Sequence, residues 1–385
     1  MIKLFDKTTE IIHGSANNNE NSYNYYHKSN REDINIIRQT LETWFFKYPN
    51  SEQEELKNRF KKDFDSAFFE LFLYELFSKQ GYKIEIHPNL KNSTKRPDFL
   101  IVKGNQQIFV EAKVCYDKTE EEMAFERRQN QFYDQLNKVR IKGFLLRIEK
   151  LDFISKNQPR VKELIKHIES EVEKLDYNLI AAKAEKFGFD ACPRIKFNNK
   201  DFNIVIQPMP MSESKKEKIS STPIGMFPFE ILTGGGDESL RQSILKKAKR
   251  YGKFDKPYLI CINSLSTKSS GKFDIENVIW GSLKYSFSTN PNNRNLKMIR
   301  DNDGVFYNSG KPQLKNVSAI LVTKVFPSNI PNAKYWAYQN PFATTNLNFE
   351  YLDLAVSYIK ENQIISEEGN NFDEIFEINK DWLNL

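Results

Sequence analysis

Three residues in the stretch RPDFLIVKGNQQIFVEAKV, residues 96–114, have types and spacing that could carry chemistry: Asp98, Glu111 and Lys113. Two acids and an amine stand among Phe99, Leu100, Ile101 and Val102 before a Gly-Asn pair, and Ile108, Phe109 and Val110 after it. Gly104-Asn105 predicts a two-residue hairpin turn. Lys103 then pairs with Gln106, and the same register puts Asp98 opposite Glu111. Side chains alternate with a period of two, so Glu111 and Lys113 share a face. Apolar residues occupy both faces, the pattern of an inner strand. Two carboxylates facing each other at ~5 Å repel by about 3 kcal/mol at an effective dielectric of ~20, and opposed like charges destabilise a sheet. Such a site needs a cation. Lys113 supplies one charge and a divalent ion supplies the rest; carboxylate ligands beside an amine suit Mg2+ or Mn2+ rather than zinc. The alternative is an exposed hairpin with a surface Asp–Lys pair.

The surrounding elements must place this hairpin. Residues 1–30 include the polar run GSANNNENSYNYYHKSN and read as a flexible segment; residues 31–63 read as helices broken at Pro49. The strongly apolar FDSAFFELFLYELFSKQ predicts a helix that stops before Gly81, and YKIEIHP alternates as a strand. Residues 116–138 read as a charged helix, KGFLLRIE as a strand, residues 158–187 as one long helix, and RIKFNNKDFNIVIQPMP as a hairpin. Much later, SLRQSILKKAKRYG predicts a helix and KPYLICINS a buried strand.

Pro97-Asp98, twelve intervening residues and Glu111-Ala112-Lys113 resemble the motif of the PD-(D/E)xK nuclease superfamily. RFKKDFDSAFFELFLYELFSKQGYKIEIHPN, RPDFLIV, KAKRYGKFDKPYLICINS, WGSL and NPFA resemble a poorly characterised bacterial group within it. These pieces cover well under half of the chain. The resemblance implies a restriction-endonuclease-like core of mixed α/β (α+β) type: a helix, a three-stranded meander, then a helix and a further strand. Asp98 and Glu111 are implied as Mg2+ ligands and Lys113 as the residue beside the attacking water. The family often adds an acid on the first helix, for which Glu70 and Glu75 compete. Glu75 has Lys79 at i+4, a favourable surface pair. Glu70 has no basic residue at that offset and is flanked by Phe68, Phe69, Leu71 and Leu73, so it is the one expected to reach the metal.

A polar pair at i and i+4 on the next helix is also implied. Gln129 with Tyr133 and Lys247 with Tyr251 are the candidates. A helix followed by a buried strand is what the core lacks after Lys113, which favours Lys247 and Tyr251 as auxiliary residues. The expected organisation is then core from 64–115 and 237–290, a large, mostly helical insertion with a β-hairpin at 116–236, and a C-terminal region, 291–385, packing on the core. Arg96 and Lys95 beside the motif are candidates for contacts to nucleic-acid phosphate. Thr233 to Asp237, TGGGD, reads as a phosphate-holding loop or as a plain loop with Asp237 as N-cap. His87 and Cys115 read as structural.

Composition bounds the function classes. The 385 residues carry 57 Lys and Arg against 51 Asp and Glu, a net charge of +6, which is compatible with nucleic acid without demanding it. Three dispersed cysteines argue against a disulfide framework and fit a cytoplasmic setting. Neither a signal-peptide pattern nor a run of 18 apolar residues occurs, so no membrane partner is expected. The reading is a Mg2+-dependent endonuclease acting on DNA in preference to RNA, with bacterial defence against foreign DNA as the role the resemblance suggests. Its rivals are a nuclease-like module that binds nucleic acid or protein without cutting, and an assembly protein. The insertion, rich in both Arg and Glu, offers a solvated face, a homodimer or partner surface, or a strand clamp.

Overall fold

The structure, a computed structural model, describes residues 2–90, 93–228, 236–252, 254–266, 271–288, 296–361 and 363–384. It divides into two units: Met1–Gly14, Asn21–Lys118 and Thr233–Leu385 form the first, and Ser15–Glu20 with Thr119–Leu232 form the second. The class is mixed α and β, with helices on mixed sheets.

In the first unit, helices α1 (Ser22–Lys28), α2 (Glu32–Lys47) and α3 (Gln53–Lys62) precede α4 (Phe64–Lys79). Helix α2 buries Ile34, Ile37, Leu41, Trp44 and Phe45, the single stripe of an amphipathic helix. Helix α4 is different: Phe68, Phe69, Leu71, Phe72, Leu73, Leu76 and Phe77 bury it nearly all round, so it needs cover on every side. Asp63 starts it by accepting from the Ser66 N–H at 3.3 Å, and Gly81, at φ +83°, ends it. Residues 1–30 are not simply a flexible segment, because α1 forms there. Leu4, Phe5 and Tyr23 join the core, and the Tyr23 hydroxyl donates to the Leu4 carbonyl at 2.8 Å.

Strands β1 (Lys83–Ile86), β2 (Phe99–Lys103) and β3 (Gln106–Cys115) form an antiparallel meander. Helix α5 (Gly236–Ala248) and strand β4 (Tyr258–Ser264) follow after the second unit, and β4 pairs parallel to β3. Helix α6 (Lys272–Trp280) leads to a separate ribbon of β5 (Leu283–Phe287) and β6 (Leu296–Arg300). Strands β7 (Ala319–Lys324), β8 (Lys334–Gln339), β9 (Val356–Lys360) and β10 (Gln363–Glu367) extend the main sheet, whose order is β1-β2-β3-β4-β7-β8-β9-β10. Residues within 291–385 thus continue the core sheet. A short helix α7 (Phe372–Phe376) brings Phe376 onto Trp44 and Phe72.

The sheet lies between two helical layers, and alternation along its central strands decides which side each residue joins. Val110 and Val114 of β3 with Leu259 and Cys261 of β4 pack among the residues of α2, α3 and α4. Phe109 and Cys115 with Tyr258, Ile260 and Ile262 pack on Leu240, Ile244 and Ala248 of α5 and on α6. Glu111 and Lys113 share the second parity and therefore belong to the α5 side.

The second unit is not mostly helical. Its centre is a four-stranded sheet, in the order Ile195–Asn198, Phe202–Pro210, Phe144–Phe153, Ile224–Met226. Phe132, Leu136, Ile148, Leu164, Ile168, Phe202 and Ile206 fill its core. The single helix expected over 158–187 is two, Lys162–Glu173 and Tyr177–Phe187, because Asp176 caps a new start by accepting from the Leu179 N–H at 3.1 Å. Among the described residues no helix is long and apolar enough to cross a membrane.

Candidate active site

The hairpin register follows from its turn. Gly104 sits at φ +57°, a conformation open to glycine, and Lys103 pairs with Gln106. The ladder runs to Phe99 opposite Val110 and stops one residue short of Asp98. On its other side the backbone continues the β1 pairing past Phe99: the His87 N–H donates to the Asp98 carbonyl at 3.0 Å. His87 itself is at φ +48°, a sparsely populated region for a residue with a Cβ. The Asp98 side chain reaches across to β3, where Oδ2 accepts from the Ala112 N–H at 2.6 Å. No other hydrogen bond engages this carboxylate among the described residues, which leaves Oδ1 open.

Glu111 is fully buried. An unpaired carboxylate there would cost several kcal/mol, on the order of the penalty for any buried ion, and three side chains from the end of α5 remove that penalty. Lys247 Nζ donates to Oε1, and Arg250 Nη1 approaches the same oxygen at 3.3 Å. The Tyr251 hydroxyl lies 2.5 Å from Oε2 and 2.8 Å from the Arg96 carbonyl, so its one proton serves either. Burial, then the hydrogen bond to Glu111, pushes the Tyr251 hydroxyl pKa up. The helix can deliver these groups because Leu240, Ile244 and Ala248 anchor one stripe against the sheet with Lys247 beside it, and Arg250 and Tyr251 follow directly after the helix ends at Ala248.

Electrostatics set Asp98 apart. Burial, with the nearby charges of Glu111 and Glu70, pushes its pKa up to about 7; Lys247 and the Ala112 N–H pull in the other direction. Lys113 is exposed and makes no ion pair with either acid. The cation expected on Glu111 is therefore Lys247, assisted by Arg250, rather than Lys113. Arg250 was not anticipated; it lies three residues past Lys247, just beyond the end of α5.

Glu70 does not join this group. It is buried, but Arg59 clamps it with Nη1 on Oε2 and Nη2 on Oε1, both at 2.5 Å, and the Tyr48 hydroxyl donates to Oε1 at 2.7 Å. The basic partner missing from its own helix comes from the last turn of α3. Glu75 is not a surface residue paired to Lys79 either: it is buried and bound to Lys47, while Lys79 pairs with Glu377. Gln129 and Tyr133 belong to the second unit, where Tyr133 packs on Phe227. Lys95 and Arg96 are exposed; Lys95 joins Lys113 and the α5 side chains in lining a cleft of about 720 Å3. Asp237 is inside the first turn of α5 and not its cap, because Gly236 before it is already helical; Thr233 to Gly235 lie outside the described residues. Cys115 is buried against Ser239.

Among the described residues no three His, Cys, Asp or Glu side chains come together as a metal cluster. A three-carboxylate site with Glu70 is thus not formed. Asp98 and Glu111 remain, and their donor set suits Mg2+, which commonly takes one or two carboxylates and keeps its other positions for water and phosphate. The open Oδ1 of Asp98 is the observation behind that fit. No protein-family model, no curated protein and no solved structure matches this chain.

Proposed function

We propose that the first unit is a restriction-endonuclease-like core and that the protein is a Mg2+-dependent nuclease hydrolysing phosphodiester bonds, in DNA rather than RNA. One observation carries the reading: Asp98, with an open carboxylate oxygen, stands beside buried Glu111 on a three-stranded meander, with Lys113 on the same strand face and a cleft of lysines alongside. The element order around it, α4, β1-β2-β3, α5 and parallel β4, matches what the sequence resemblance implies. Asp98 and Glu111 would hold the ion. When bound, Mg2+ supplies positive charge to the phosphate and acidifies a water.

The chain's own groups do the rest. Lys247, Arg250 and Tyr251 hold Glu111 fixed in orientation within a buried setting. The Ala112 N–H fixes one oxygen of Asp98 and leaves the other toward the site. Lys113, exposed and without an ion pair among the described residues, orients the attacking water and offsets negative charge that develops on the phosphate. Defence against foreign DNA is the biological setting we favour, with a second copy or a protein partner as the source of any recognition the core lacks. The test is cleavage of plasmid and single-stranded DNA with Mg2+ by wild type, Asp98→Ala and Lys113→Ala. Loss in both variants supports the reading, and equal cutting by all three removes it.

A second reading has its own support. Lys247, Arg250 and Tyr251 satisfy both oxygens of Glu111 from within the protein, so the site is stable as a binding surface without an ion. A non-cleaving nucleic-acid or protein binding module would show tight metal-independent binding and no hydrolysis by wild type.

A further inference from the structure

The cleft beside Glu111 has a one-sided chemistry. Lys95, Lys113, Ser239, Gln242, Ser243, Lys246, Lys247, Lys249 and Arg250 line it, with no carboxylate among them. Lys247 and Arg250 are committed to Glu111. Lys95, Lys113, Lys246 and Lys249 make no ion pair among the described residues. Lysines in the last turn of a helix can be explained by its dipole, and that would cover Lys246. It does not cover Lys113, which comes from β3, or Lys95, which comes from the segment before β2. Four ammonium groups, from β3, from the segment before β2, from α5 and from the residue after its end, thus converge on one concavity without a carboxylate partner among the described residues, Lys95 Nζ reaching only the Arg250 carbonyl at 3.5 Å.

The neutral lining continues the same face. Ser239, Gln242, Ser243, Lys246 and Lys247 follow the i, i+3, i+4 spacing of one helical stripe, and Arg250 lies just past the helix end. Base-reading groups are scarce in it. Arg250, the one guanidinium, is turned to Glu111, and the Gln242 amide donates to Glu238 at 2.5 Å. What remains is a set of point charges, suited to phosphate and indifferent to base edges.

We infer that this cleft seats the sugar–phosphate backbone of a nucleic-acid strand on the α5 side of Glu111, with Lys95, Lys113, Lys246 and Lys249 as phosphate contacts that do not read sequence. The identity of the polyanion rests on the nuclease reading, since Lys113 and Lys247 belong both to the cleft and to the candidate active site. Four contacts on duplex DNA set a salt dependence: log K falls with log[salt] at a slope of about −3.6.

The test separates this surface from catalysis. Binding of fluorescein-labelled duplex and single-stranded DNA of several sequences is measured by anisotropy in EDTA, across a NaCl series, with the full chain. Lys246→Ala with Lys249→Ala should weaken binding at least tenfold at low salt, equally for all sequences, and make the duplex slope shallower by about 2. Lys297→Ala with Lys311→Ala, exposed lysines outside the cleft, should change neither. Lys249→Ala alone guards against a folding defect and should shift the slope by about 1. Unchanged affinity and slope in the cleft variants, or a loss confined to one sequence, overturns the inference. If wild type cuts DNA but the cleft variants bind normally, the nuclease reading stands and this one falls. If wild type never cuts yet the variants lose affinity, the reverse holds.

Discussion

Two buried glutamates of the first unit, Glu70 and Glu111, solve the same problem in opposite ways. Each sits in an apolar setting and each collects donors from another part of the chain. Glu70 takes a planar two-point clamp from Arg59 plus the Tyr48 hydroxyl, and that geometry closes it off. Glu111 takes a lysine, a more distant arginine nitrogen and a tyrosine whose proton is shared with a backbone carbonyl. Its neighbour Asp98 has an open oxygen, and a cleft of cations adjoins it. A closed clamp is what a structural ion pair needs. An arrangement with adjustable donors and an incompletely satisfied second acid is what a site that exchanges ligands needs.

The comparison breaks most visibly at its functional end. Asp98→Ala and Lys113→Ala should each lower the cleavage rate by about 10²–10³-fold, the range seen when one electrostatic contributor is removed, while the urea midpoint of Lys113→Ala, at an exposed residue, stays close to wild type. At the structural end, Arg59→Met should cost about 3–5 kcal/mol of unfolding free energy, because it leaves Glu70 buried without a counter-charge. Its cleavage rate per folded molecule should stay near wild type; a rate loss as deep as that of Asp98→Ala would merge the two glutamates into one site. Tyr251→Phe removes one adjustable donor from Glu111 and should cost about 1–3 kcal/mol, read by urea denaturation, with cleavage reduced but present.

The response to pH is read on stability alone. Asp98 has a folded pKa of about 7, above the ordinary carboxylate value of 3.8. Between those values the folded protein holds a proton that the unfolded chain has released, so stability falls as pH rises from about 4 to 7. Asp98→Asn in metal-free buffer should flatten that decline. An unchanged pH profile would place the raised titration elsewhere.

The parts of this site that local pattern specifies were legible in the sequence. The Gly-Asn turn and period-two alternation define the β2–β3 register down to Phe99 and Val110, and the uninterrupted apolar run from Tyr258 identifies a central strand although a whole unit separates it from β3. What escaped was set by tertiary partners. Arg59 is on a different helix from Glu70, and an i+4 search on one helix cannot see it; the same limit turned Glu75 into an apparent surface residue when Lys47 was its partner. In the second unit, the charged stretches pointed to helices, but the pairing of residues 144–153 between two distant strands is a long-range choice. The Asp176 cap that splits the expected helix is a local signal that helical periodicity overrode.

The parallel pairing of β3 with β4 has a consequence for the newborn chain. Strand β3 leaves the ribosome roughly 140 residues ahead of β4, a delay of about 7–30 s at ordinary rates of synthesis. Throughout that interval one edge of β3 lacks its partner, and Glu111 lacks every donor that α5 will bring. The acids are made early and their setting is made late. A nascent chain therefore carries the acids without their setting until the sheet has closed.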